Sequence, residues 1–444
     1  MKKYSVKLVF IQDKKKRVSE EFRDSTYGRI FDCLTLGSAT YDIIMFLIFM
    51  VVLTFNYSCK KKPSVKEQVY SYTIPSDYLR EPAVIPAFWI SSYDEVNEFL
   101  IRTVRKGQLK AIGTSSGGRQ IQAVFYGKSR QGEGTTTFSG SLGFGDVRAY
   151  RGPDHNKKVY MGIAAIHGGE FEGIVGIVNL ISVIETGKDL RGKEWPEITD
   201  VMSKLDRVIL IPVVNPDGRV RIPLRMELYC DTIYTVHEYL NTGGKPDGTI
   251  TGWPQIKEFI PMDLSKPGFP GGYPNDAGVN IQHDDFAGKK QPETQALFDL
   301  AGREKPDLII NMHTGAVYMR MDRPLGEPAL RTAFDTLFRY VHSELAINGL
   351  QQTDDPENEG NPLRASTGVY NLDGALNWHC GALSVVVESP SHSFSGNSTT
   401  QLAKIESPDN LLDAQLICHQ QAMKFLAETG GRSKWLPDSK DVEN

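Results

Sequence analysis

The stretch VYMGIAAIHGGE, Val159 to Glu170, decides the fold class. Its first eight residues, Val159 to Ile166, are apolar without strict alternation, as expected of a strand buried on both faces of a sheet. Its last four, His167-Gly168-Gly169-Glu170, leave that strand carrying an imidazole and a carboxylate three positions apart. Three further runs read and end in the same way. Val208 to Val214 precedes Asn215-Pro216-Asp217-Gly218, Leu308 to Met312 precedes His313-Thr314-Gly315, and Leu383 to Val387 precedes Glu388-Ser389-Pro390. Between them, helical spacing predicts helices over Gly173–Glu185, Glu293–Arg303 and Ala329–Leu345, with a last one over Asn410–Glu428. Upstream, Ser92-Tyr93-Asp94-Glu95 is a capping box, and Val96, Phe99, Leu100 and Val104 follow at helical spacing. Gly113 to Arg119 is a turn cluster before a strand over Ile121–Tyr126. Strands alternating with helices predict an α/β domain with a largely parallel sheet and helices on both faces.

In open α/β sheets, ligands bind in the crevice beyond the carboxyl ends of the strands. Each strand-end motif alone is ordinary. A lone His is more often a hydrogen-bonded structural residue, Asn-Pro-Asp-Gly is a good turn, and a Glu can simply cap. Their occurrence together, each at a strand end, points to chemistry. Zinc accepts imidazole nitrogen and carboxylate oxygen at about 2.0–2.2 Å, and two His with one Glu leave a position open for water. His167, Glu170 and His313 are therefore the candidate ligands of one zinc per chain. Gly168 and Gly169 are expected to let the backbone turn tightly between ligands. Glu388, outside the metal's shell, is the candidate general base that takes a proton from the water.

Several motifs add to this set: Gly118, Arg119 and Ile121 before the second strand, Gly278-Val279-Asn280-Ile281, and Pro292-Glu293-Thr294 at a helix start. In order and spacing the chain resembles the metallocarboxypeptidase family of carboxypeptidase A over roughly residues 90–425. The resemblance implies a three-layer α/β/α domain with a twisted mixed sheet of about eight strands. It also implies one zinc and release of C-terminal residues from a peptide or peptide-like substrate. The departures concern recognition. Gly169 stands where the family usually has Arg, and Gln282-His283 where it has the Asn-Arg pair that grips the terminal carboxylate. The further arginine after Asn-Pro-Asp-Gly aligns with Arg225, although Arg219 and Arg221 compete, and the mobile tyrosine aligns with Tyr370. Arg225, Gln282, His283 and Tyr370 are thus the expected substrate contacts. Two other readings stay open: a non-catalytic metal- or peptide-binding protein, and an amidase or cell-wall peptide hydrolase using the same site.

The 444 residues are 40% hydrophobic and 23% charged, as in a soluble globular protein, and a net charge of −4 gives no footprint for nucleic acid. Ile43 to Phe55 is a thirteen-residue apolar run, short of the roughly 20 residues that span a bilayer. It lies downstream of Lys14-Lys15-Lys16-Arg17 and just before Cys59, as in a lipoprotein-type export signal. The expected organisation is an export segment (1–59), a linker (60–75), a catalytic domain (76–430) and a polar tail (431–444). The expected location is outside the cytoplasm, as a membrane-attached lipoprotein or a secreted or periplasmic protein. Any membrane contact is then made only through an N-terminal anchor or lipid. The five cysteines show no paired spacing.

Overall fold

The computed structural model describes residues 4–9, 67–143, 145–228, 234–252, 255–258, 261–316, 319–350, 361–365, 369–391 and 407–435. The apolar run Ile43–Phe55 and Cys59 lie outside these residues. Among the described residues no helix is long and apolar enough to cross a membrane.

The buried runs form the middle of a seven-stranded sheet: β1 (Gln108–Thr114), β2 (Gln120–Gly127), β3 (Val159–Ala164), β4 (Arg207–Ile211), β5 (Leu308–Thr314), β6 (Arg320–Asp322) and β7 (Leu383–Ser389). Their spatial order is β1-β2-β4-β3-β5-β7-β6, seven strands among the described residues, in keeping with the mixed sheet of about eight that was expected. β4, β3, β5 and β7 run parallel, while β1, β2 and β6 pair antiparallel at the two flanks. Every residue of β3, β4 and β5 is buried, which explains why their sequences lack a polar face.

Alternate side chains of β3 enter two different cores. Tyr160 and Ala164 join a cluster that includes helices α1 (Tyr93–Thr103), α2 (Glu172–Thr186), α6 (Arg331–Ile347) and α8 (Pro408–Thr429). Val159, Met161 and Ile163 join the opposite cluster, with α5 (Pro292–Glu304) and α7 (Leu372–Cys380). This is the three-layer α/β/α arrangement. The Ser92 hydroxyl caps α1 by accepting from the Glu95 N–H at 3.4 Å, and Val96, Phe99 and Leu100 are its buried face. Two short helices matter for the site: α3 (Pro216–Arg221) and α4 (Tyr234–Thr242).

Packed residues continue past both expected bounds of the catalytic domain. Glu67–Tyr72, within the expected linker, is a strand, and Tyr72 and Ile74 are buried, with the Tyr72 hydroxyl donating to Leu264 O at 2.9 Å. At the other end Arg432 is buried against Glu327, and Trp435 stacks on Phe425 with ring centroids 5.0 Å apart. Two aromatic anchors and a buried ion pair are too sparse to register as periodicity.

Candidate metal centre and its cleft

The sheet brings the two expected histidines together because β3 and β5 are adjacent and parallel. Ala164 pairs with Met312, so the chain leaving β3 and the end of β5 arrive at one edge. Leaving β3, Ala165 adopts φ 53°, a left-handed conformation that is strained for a residue with a Cβ. Its carbonyl accepts from the Asn215 N–H at 2.9 Å, which ties this exit to the one after β4. Neither Gly168 nor Gly169 has positive φ, so tight dihedrals are not why they are glycines. Close approach is. A Cβ on Gly168 would lie 2.1 Å from Arg219 N, and one on Gly169 would lie 2.3 Å from Asn241 Oδ1.

His167 Nδ1 lies 2.8 Å from Glu170 Oε1, His313 Nδ1 lies 3.0 Å from Glu170 Oε2, and the two Nδ1 atoms are 3.3 Å apart. All three residues are buried, and their ligand atoms lie within 4.8 Å of one another. Glu170 Oε2 nevertheless has no hydrogen bond, so its contact with His313 is one of proximity rather than donation. A buried His₂Glu set whose ligand atoms lie this close together is what a zinc ion fits. The second nitrogen of His167 is spoken for: Nε2 donates to Asn280 Oδ1 at 3.2 Å, leaving Nδ1 for the centre. Tyr273 stacks on the same imidazole at 3.6 Å and 13°, fixing the ring plane. Burial alone would raise the Glu170 carboxyl; the two imidazoles outweigh it and hold it well below the usual carboxylate range.

Glu388 reaches the same edge through register, since its Cα pairs with that of His313 across β5 and β7. Its side chain, 19% exposed, lines a cleft of about 220 Å³ together with Thr314, Gly315, Tyr273 and Arg320. Burial pushes its carboxyl up to about 7 against the pull of His313. Arg320 stands opposite it on β6, with Nη2 3.8 Å from Glu388 Oε1 and Nε 3.0 Å from Asp322 Oδ1.

The four expected substrate contacts do not line this cleft. Arg225 turns to Glu95, Nε to Oε1 at 2.8 Å. Gln282 is buried and donates to Asp373 Oδ2 at 3.0 Å, in a network that also takes Asn311 Nδ2 at 3.0 Å. His283 closes the short turn Ile281–His283, and Tyr370, 52% exposed, sits edge-on to Phe286 at 5.9 Å. The competing Arg219 and Arg221 are fully buried, Arg219 on the carbonyls of Ser91 and Ile222, Arg221 on Asp276 at 2.8 Å. Asn-Pro-Asp-Gly is a helix start: the Asn215 side chain accepts from Gly218 N–H at 2.9 Å. Asp217 accepts from Gly117 N at 2.8 Å and Arg119 Nη1 at 2.9 Å, pinning the turn before β2.

Sequence reasoning missed Arg320, Tyr273 and four residues of α4 that line the cleft, His237, Glu238, Asn241 and Thr242. β6 is only three residues long, too short for a periodic signal. α4 follows a motif-poor stretch, although its Val236, Tyr239 and Leu240 at spacings of three and four are readable as a helix face.

A family model described as zinc carboxypeptidase matches residues 102–385, more than half of the chain. The match takes in all three candidate ligands and ends before Glu388. Similar solved structures include a metallo-carboxypeptidase from Burkholderia cenocepacia (15% identity, 76% of this chain and 69% of that one, TM-score 0.45). Another is a metallo-carboxypeptidase from Pseudomonas aeruginosa in complex with (2-guanidinoethylmercapto)succinic acid (14%, 82% and 74%, TM-score 0.47). A third is carboxypeptidase A from Helicoverpa armigera (13%, 77% and 75%, TM-score 0.42). No curated protein matches the chain.

Proposed function

The chain belongs to the zinc carboxypeptidase family, and from that premise we propose that it releases C-terminal residues from peptides, with Glu388 as the proton-transfer group. The observation that carries this reading is the placing of a metal-type His₂Glu set and a separate, cleft-facing carboxylate on neighbouring strand ends. His167, Glu170 and His313 would hold the zinc, which supplies Lewis-acid polarisation of the scissile carbonyl and eases ionisation of water. Glu388 takes the proton from the attacking water and passes it to the leaving amine, one carboxylate serving as base and then acid. A carboxylate raised towards neutrality suits both roles. Among the described residues that line the cleft, Arg320 is the guanidinium, and on this reading it meets the substrate's terminal carboxylate.

The test compares unblocked peptides with the same peptides amidated at the C-terminus, using zinc-loaded protein. Cleavage confined to the unblocked set, with KM raised in Arg320→Ala, is the expected result. Equal cleavage of both sets would overturn C-terminal release and favour the amidase or cell-wall hydrolase reading, which the displacement of all four expected contacts from the cleft also favours.

A further inference from the structure

The turn that carries His167 and Glu170 is clasped by the loop over residues 271–274, and the hydrolytic steps give this clasp no work. Gly168 N–H donates to Gly272 O at 2.8 Å. A Cβ on Gly272 would lie 2.6 Å from Gly169 N, so the two backbones can touch only without a side chain there. Three other elements seat the loop. From α4, the Asn241 carbonyl accepts from Gly272 N–H at 2.8 Å and Tyr273 N–H at 3.0 Å. From α3, the buried Arg221 donates through Nη1 to Gly271 O at 2.7 Å and Pro274 O at 2.8 Å. From the turn after β4, Asn215 Nδ2 donates to Tyr273 O at 3.2 Å.

The clasp aims Tyr273. Its ring lies on the His167 imidazole with centroids 3.6 Å apart and planes 13° from parallel. Aromatic rings left to themselves prefer offset or edge-on arrangements, with centroids about 4.5–7 Å apart. His167 makes such an edge contact with His313, at 4.8 Å and 68°. The nearly face-on stack is therefore imposed by the backbone rather than chosen by the rings. Its electrostatics depend on the state of the imidazole. The face of a phenol ring is negative, so it is indifferent or repulsive to the face of a neutral ring and attracts one that carries positive charge. A cation held at Nδ1 confers that charge. On the far side of the imidazole, Nε2 donates to Asn280 Oδ1, an uncharged amide, where metal-binding histidines often have a carboxylate.

We propose that Tyr273 is a positioning residue that favours the metal-bound form of His167: its ring face attracts the imidazole once a cation sits at Nδ1, and the glycine clasp holds it in place to do so. The proposal rests on the ligand assignment and is independent of the hydrolytic reading. A desolvated contact between a cation and an aromatic face is worth roughly 5–30-fold in a binding constant.

The test measures the zinc affinity of the full chain by competition with a chelator, so it needs no turnover. Tyr273→Leu, which removes the ring, should raise the zinc Kd roughly 5–30-fold, while Tyr273→Phe stays within about 3-fold of wild type. Pentafluorophenylalanine incorporated at position 273 keeps the outline of Phe but reverses the charge of its face, and should weaken zinc at least as much as Leu does. Packing alone would make the fluorinated and ordinary Phe proteins equal, and that equality would overturn the proposal. This pair decides the matter even where Tyr273→Leu does not fold. A Tyr273→Leu affinity within about 2-fold of wild type would overturn it too. Gly272→Ala should push the ring off His167 and weaken zinc by a similar factor, with little further loss when Tyr273→Leu is added. Full additivity of those two changes would overturn the clasp. If His167→Ala keeps its zinc, the ligand assignment fails and the proposal with it. Zinc lost from His167→Ala, with unchanged affinity across the Tyr273 series, overturns this proposal alone.

Discussion

His167, Glu170 and His313 reach their meeting point from two adjacent parallel strands, whereas Arg225, Gln282, His283 and Tyr370 hang from three separate turns. The first group converges within 4.8 Å; none of the second lines the cleft beside it. The difference is one of how position is transmitted. Once Ala164 pairs with Met312 and His313 with Glu388, the hydrogen-bonded ladder fixes the catalytic edge to within a residue. A turn has no ladder. Where its side chains point depends on what packs beneath it.

The sharpest way to break this contrast is to remove a ligand. His167→Ala and His313→Ala should fall from about one zinc per chain to near none and lose all measurable hydrolysis, because each removes one of three protein donors. Elemental analysis after dialysis decides the matter; full zinc in both variants would dissolve the ligand set and the comparison with it.

Glu388 should separate from the ligands in the next experiment. Glu388→Gln should keep its zinc and lose about 10²–10⁴-fold in kcat. As a base it must be ionised, so kcat/KM should rise with pH along an acid limb. Burial places the midpoint at about 7, and a cation among the ligands, by favouring the ionised form, moves it lower. The limb should vanish in Glu388→Gln. An unchanged limb would assign the titration elsewhere.

The same distinction explains how much of the molecule is legible in its sequence. The four apolar runs form β3, β4, β5 and β7, and the residue following or ending each run falls at the active edge. The helices expected over Gly173–Glu185 and Glu293–Arg303 differ from α2 and α5 by one residue at each end. Periodicity and burial are local properties, so the sequence carries them. Gln282 shows where this stops. Its side chain goes inward because Asp373, 91 positions later, offers a buried carboxylate that also binds Asn311 and Ser384. Nothing near Gln282 in the chain announces that partner. The glycine pair shows a subtler loss. Gly168 and Gly169 stand out between the ligands, but the strained backbone belongs to Ala165, and the glycines yield space to Arg219 and Asn241, residues more than 50 positions away.

The smallest expected effect belongs to Arg225, and it sharpens the comparison from the other side. Its guanidinium pairs with Glu95, with 40% and 34% of the two side chains exposed, so solvent screens the pair and it contributes at most about 1 kcal/mol. The contacts that bind Arg225 itself to its surroundings are made by its backbone, between the buried side chains of Leu224 and Met226. The Arg225 carbonyl accepts from the Trp89 indole N–H at 3.0 Å, and its N–H donates to Glu81 Oε1 at 2.6 Å. Both survive truncation of the side chain. Arg225→Ala should therefore melt within a few degrees of wild type and keep KM for unblocked peptides within about 2-fold at every pH, consistent with a screened surface pair. An anchor for the terminal carboxylate behaves otherwise. Removing it leaves the substrate's charge desolvated and unpaired, and KM rises at all pH values because a guanidinium never titrates in this range. A rise of about 10-fold or more in Arg225→Ala, with Arg320→Ala unaffected, would return recognition to the turn after Asn-Pro-Asp-Gly. It would require the segment Ile222–Arg225 to swing from Glu95 into the cleft when peptide binds.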